Sequence, residues 1–124
     1  MPVMNMTDAM IYAMETPGAL AVAFVEMKTG RAVAGLGNEV VDFDRATPGW
    51  TEILHMQTAN LDRENDPNPI NDLVITTDTR FHVLRPLTGR DASDLYLYLV
   101  LDKSAGSIPL AQYRLGIMEK TMVL

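Results

Sequence analysis

The stretch Leu95-Tyr-Leu-Tyr-Leu-Val-Leu101 constrains the fold more than any other part of the chain. Its leucines alternate with Tyr96, Tyr98 and Val100, so a strand here has two apolar faces, and both must be covered. Such a strand belongs in the middle of a sheet with helices above and below it. The residues just before it supply its neighbours. Residues 73–77 are short and β-branched, Asp78 and Thr79 turn the chain, and 80–87 alternates Phe81, Val83 and Arg85 against His82, Leu84 and Pro86. This reads as a hairpin followed by a third strand.

Helical patterns occupy both ends and the middle. Asn5 can cap a first helix with Asp8 at its third position, and Met6, Met10, Ala13 and Met14 recur on one face before Thr16-Pro17-Gly18 ends it. Residues 19–28, holding Val22, Phe24 and Val25, suit a second doubly buried strand. Thr29-Gly30 turns it into 31–36, with Gly35 and Gly37 marking the exit. A middle helix is expected over about 48–64, capped by Thr47 with Pro48 at its first position, after an earlier helical turn at 42–46 bent at the proline. Trp50, Ile53, Leu54, Gln57 and Leu61 share one side of it. Ser107 can cap a last helix whose stripe is Ile108, Ala111, Leu115, Met118 and Met122. The order is αββαβββα in a single domain over 1–124, an α/β (α+β) sandwich around a five-stranded antiparallel sheet. The doubly apolar strands 19–28 and 95–101 are expected centrally and the hairpins at the edges. Strand 73–77 carries no charge to blunt its edge, so it asks to be paired, and a two-fold partner using the same strand would cover it.

With 124 residues and 48% hydrophobic composition, the chain can bury a core without metal or disulfide staples. The absence of cysteine excludes disulfides, thiolate catalysis and Cys-ligated metal. No basic region precedes an apolar run at the start, and no stretch approaches the roughly 20 apolar residues that span a bilayer. A cytoplasmic protein without membrane insertion is expected. The net charge of −6 argues against nucleic-acid binding, and −5 of it falls within residues 39–66, where seven acids face two bases. A solvated helix face with flanking loops explains this run, and steering of a basic partner is the sharper reading.

The stretches Pro17-Gly-Ala-Leu-Ala-Val-Ala-Phe-Val-Glu-Met-Lys-Thr-Gly30, Asp72-Leu-Val-Ile-Thr-Thr77, Phe81-His-Val-Leu-Arg-Pro-Leu87 and Leu95-Tyr-Leu-Tyr-Leu-Val-Leu-Asp-Lys103 resemble the Roadblock/dynein light chain family, especially its small bacterial members. The resemblance spans nearly the whole chain and rests on hydrophobic patterns. It implies a profilin-like sandwich with sheet order 2-1-5-4-3, the first and last helices on one face and the middle helix on the other. It also implies homodimers joined through the third strand and the middle helix, which bind and regulate small Ras-like GTPases or act as scaffolds, with no catalytic residues of their own. Pro48-Gly49 departs from the long continuous middle helix of that family.

Reactive chemistry finds little footing. His55 and His82 are the only histidines and lack metal-ligand spacing, so His82 reads as a packed or edge histidine. Asp42 and Asp44 read as loop or cap, Gly35-Leu-Gly37 as turn chemistry, and Lys103-Ser104 lacks the glycines of a phosphate loop. No catalytic residue, cofactor or metal is expected. Arg80, Arg85 and Arg90 could hold an anion, but alternation places Arg85 with Phe81 and Val83, which favours a structural salt bridge or snorkelling. The nine methionines read as adaptable core filler, with a promiscuous surface as the alternative.

Two functional readings follow. In the first, a homodimer uses Trp50, Leu54, Leu61, Leu73 and Ile75 at its interface and presents Glu52, His55 and Met56 to a small Ras-like GTPase, Trp50 being dimer anchor or hot spot. In the second, a small ligand is sensed in a pocket between sheet and helix lined by Tyr96, Tyr98, His82 and Arg85.

Overall fold

The computed structural model describes residues 3–88 and 94–123. Its elements run α1 (Met6–Met14), β1 (Ala19–Glu26), β2 (Ala32–Leu36), α2 (Phe43–Arg63), β3 (Leu73–Thr76), β4 (Arg80–Pro86), β5 (Leu95–Asp102) and α3 (Ile108–Thr121). The five strands form one antiparallel sheet in the order β2-β1-β5-β4-β3. As the alternating pattern of β5 requires, that strand lies at the centre, and Leu95 through Leu101 are all buried. Its residues divide between two cores. Leu97, Leu99 and Leu101 join Val22, Phe24 and Val83 under α1 and α3, while Tyr96, Tyr98 and Val100 join Ala21, Ala23, Val25 and Leu84 under α2.

The two outer helices follow their sequence signals. Asn5 accepts the Asp8 backbone N–H at 2.8 Å, and Ser107 caps α3. Ala111, Leu115 and Met118 are buried along one stripe of α3, flanked by Ile108 and Met122. Arg114 ties the pair together, because its guanidinium lies 4.1 Å from the Tyr12 ring centroid and donates to the Tyr12 carbonyl at 2.7 Å. Met10 and Met118 are buried, and Met4, Met6, Met14 and Met122 pack around the same core, so these methionines are filler.

The start of the middle helix differs from the expectation. Asp42, not Thr47, is the N-cap, and α2 passes unbroken through Pro48. Pro48 removes the intrahelical bond to Asp44, and the residue before a proline ordinarily avoids the helical region. Tertiary contacts offset both effects. The Thr47 hydroxyl is buried, 2.6 Å from the Gly30 carbonyl and 2.9 Å from that of Phe43. Thr51 Oγ1 donates to Thr47 O at 2.7 Å and also lies 2.7 Å from Tyr96 Oη. The earlier turn is anchored by Phe43, whose ring lies so close over Gly35 that a Cβ there would sit 2.7 Å from it. The helix ends at Glu64, followed by Asn65 in the left-handed region at φ 58°.

Candidate functional site

Alternation along β4 directs Arg80, His82 and Leu84 to the α2 side of the sheet, and Phe81, Val83 and Arg85 to the other. α2 covers the α2 side unequally. Leu54, Leu73, Leu84 and Tyr96 pack together beneath it, whereas Arg80 and His82, toward the other end of β4, line an open space against the flank of the helix. This groove, between the flank of α2 and that end of the sheet, has a volume of about 580 Å³. One wall is Asp42, Arg45, Ala46, Gly49, Trp50 and Ile53, residues stepped by three and four along one side of the helix. Val40 and Val41 close its start, His82 and Tyr98 form the floor, and Arg80 stands at the rim.

The floor is an aromatic stack. Trp50 lies over His82 with ring centroids 5.1 Å apart, and His82 stacks on Tyr98 at 6.0 Å with planes 10° apart. His82 Nδ1 and Tyr98 Oη are 2.8 Å apart, which fixes the imidazole within the stack. Burial, and then the nearby Arg80 charge, lower the His82 pKa below its ordinary value. Burial pushes the Tyr98 hydroxyl up, and pushes the deeper Tyr96 hydroxyl up to about 12. These groups are neutral near pH 7, so the groove floor is apolar with a cationic rim at Arg45 and Arg80. Among the described residues the ion pairs all belong to Arg85, and neither rim arginine enters one.

On the groove's side of the molecule, β3 is one of the two open edges of the sheet, β2 being the other. The Thr77 N–H bonds to the Arg80 carbonyl at 2.9 Å, and antiparallel alternation from that pair turns the polar backbone groups of Val74 and Thr76 outward. Both are therefore open to an added strand.

The residues expected at an interface fall in different places. Trp50 is half-buried in the groove wall, and Leu61, Leu73 and Ile75 are half-buried along α2 and β3. Leu54 is 1% exposed and belongs to the core of its own chain, because it points down onto the sheet; it holds α2 in place and offers no contact surface. Glu52, His55 and Met56 are exposed on the outer side of α2. Arg45, Gly49 and Val41 were not anticipated as site residues. For Arg45 and Val41 the signal was the three-and-four spacing back from Ile53, concealed by starting the helix at Pro48, while Gly49 lay within the expected helix but has no side chain to mark a face.

The ligand pocket expected from Tyr96, Tyr98, His82 and Arg85 does not assemble as one site. His82 and Tyr98 line the groove, Tyr96 lies buried beneath α2, and Arg85 is on the opposite face of the sheet. There Arg85 makes a bidentate pair with Asp72, at 2.7 and 2.9 Å, with Glu119 at 3.9 Å. It is the structural salt bridge favoured from the sequence. Arg80 and Arg85 thus form no common anion site, and Arg90 lies outside the described residues. Asp42 serves as helix cap. No helix among the described residues is long and apolar enough to cross a membrane.

A central doubly buried strand, a five-stranded sheet of order 2-1-5-4-3 and helices split two and one across its faces define the Roadblock/LC7 fold, and the chain has that fold. Compared by sequence, it matches no family model and no curated protein. Compared by structure, it is similar to the Roadblock/LC7 domain from Streptomyces avermitilis, with TM-score 0.75 and 12% identity over 90% of this chain and 89% of that one. It is equally similar to Myxococcus xanthus MglB, with TM-score 0.77 and 12% identity over 94% and 92% of the two chains. An MglB in a tetrameric arrangement matches with TM-score 0.76 and 11% identity over 92% of this chain and 82% of that one.

Proposed function

We propose that the protein is a non-catalytic homodimeric interaction module, joined through β3 and α2, that binds and regulates or scaffolds a small Ras-like GTPase in the bacterial cytoplasm. The observation that carries this reading is the combination of an unpaired edge strand with an open groove, floored by aromatic side chains, one strand away from it. An edge with free backbone groups and a flanking apolar surface is what a strand-pairing partner requires. The resemblance of the chain to the Roadblock family supplies the GTPase as the class of partner, and the tetrameric arrangement of a similarly folded MglB is in keeping with self-association. In this reading the paired α2 helices present Glu52, His55 and Met56 outward, Met56 being 61% exposed.

Two measurements test the proposal. Sedimentation velocity at micromolar concentration is expected to give the dimer mass, and the monomer mass alone counts against it. Pull-down from the protein's own cell lysate, with mass-spectrometric identification, is expected to recover a small GTPase. Recovery of none removes the GTPase from the proposal and leaves a scaffold.

A further inference from the structure

The edge of the sheet farthest from β3 is a second docking surface, and we propose that β2 takes up an extended, basic segment of a partner protein as a sixth strand. β2 and β3 end the sheet on opposite sides, so this goes beyond the dimer reading and does not depend on it.

The strand itself argues for it first. Within its bounds β2 reads Ala32-Val-Ala-Gly-Leu36, with no charge and no proline to blunt an edge. Its ladder to β1 slips once, because Ala32 pairs with Val25 and Ala34 with Phe24, and Val33 between them has no cross-strand partner. Val33 is 51% exposed, an apolar side chain set out at the open edge. The slip lies near the start of the strand and leaves Ala34, Gly35 and Leu36 in regular register with Phe24, Ala23 and Val22. On its outer side β2 meets no strand of its own chain. Its five residues span about 16 Å, enough to pair with a segment of similar length.

A cleft follows the same edge. It has a volume of about 480 Å³ and is lined by residues 32–35 of β2 and by Asn38, Asp42 and Asp44 of the segment that leads into α2. Charge then decides what enters. Residues 37–44 hold three acids, Glu39, Asp42 and Asp44, and no base. All three are exposed, and among the described residues the ion pairs belong to Arg85 alone. The nearest bases in the chain, Arg31 and Arg45, do not line the cleft. Asp42 gives one carboxylate oxygen to the Arg45 N–H as the helix cap, at 3.4 Å, and the helix N-terminus offsets only about half a unit charge. The cleft therefore stays net negative. An added strand with lysine or arginine on its cleft side satisfies both the edge and the acids, the backbone supplying affinity and the charges selecting the partner.

The test titrates the isotope-labelled full chain with blocked hexapeptides and follows the backbone amide shifts. A peptide alternating lysine and valine is expected to shift the amides of residues 32–36 saturably, and more than those of 73–76. Its glutamate and valine counterpart is expected to bind at least about tenfold more weakly, because like charges meet. The lysine peptide N-methylated at every second amide is expected to lose binding to the same extent, because the strand-to-strand hydrogen bonds are gone. Glu39→Lys combined with Asp44→Asn is expected to erase most of the preference for the lysine peptide while keeping the wild-type circular dichroism. Shifts confined to 73–76, equal binding of the N-methylated peptide, or no saturable shift at 32–36 with the lysine peptide overturns the proposal. The mass found by sedimentation bears on the dimer reading alone.

Discussion

At the scale of single residues, the most informative placements are those of two polar groups the alternation pattern located but could not partner. Arg85 was assignable from its register to a structural role, yet Asp72 as its partner became visible only once β3 and β4 were paired. Their side chains are 12% and 8% exposed, and removing one member leaves a charge without adequate solvation. Asp72→Ala is expected to lower stability by about 3 kcal/mol in urea unfolding. His82 sets an acid limb. Its folded pKa lies below its ordinary 6.5, so the unfolded chain takes up a proton first as pH falls. Stability is full above pH 6.5, declines as pH drops from 6.5 through the folded value, and levels off beneath it. Unfolding midpoints measured across this window should show the decline in the wild type and a shallower one in His82→Gln.

At the scale of elements, the strands and the outer helices follow from local pattern because their signals agree: caps, stripe and turn residues all point the same way. α2 is where they conflict. Pro48 argues for a helix start and Thr47 for its cap, but Thr47 and Thr51 turn inward and spend their hydroxyls on carbonyls and Tyr96. Those contacts come from residues 17 and 45 positions away, beyond the reach of any local rule. Because the proline is tolerated and not required, Pro48→Ala is expected to raise stability by about 1–2 kcal/mol in thermal unfolding, the restored helical bond outweighing the greater freedom of the unfolded chain. Loss of stability would show instead that the proline holds the helix in its path over Gly30.

At the scale of the whole molecule, the unpaired β3 edge lies one strand beyond the β4 residues that line the groove, and the dimer proposal stands on that proximity. Thr76 offers an N–H to that edge and none to β4. Thr76→Pro removes the outward donor and leaves the ladder to β4 intact, so a folded monomer with near-native melting behaviour is expected by sedimentation and circular dichroism. A variant that dimerises as the wild type does would place the contact elsewhere.

The sequence by itself determined the order of elements, the central position of β1 and β5, and the exposure of β3 at an edge, because periodicity records which faces of an element are covered. It could not show how far α2 extends back toward β2, that Leu54 is spent on the chain's own core, or that His82 and Tyr98 share a floor beneath Trp50. Those facts depend on where α2 crosses the sheet. That path is set by contacts between residues distant in the chain, and it leaves the groove open.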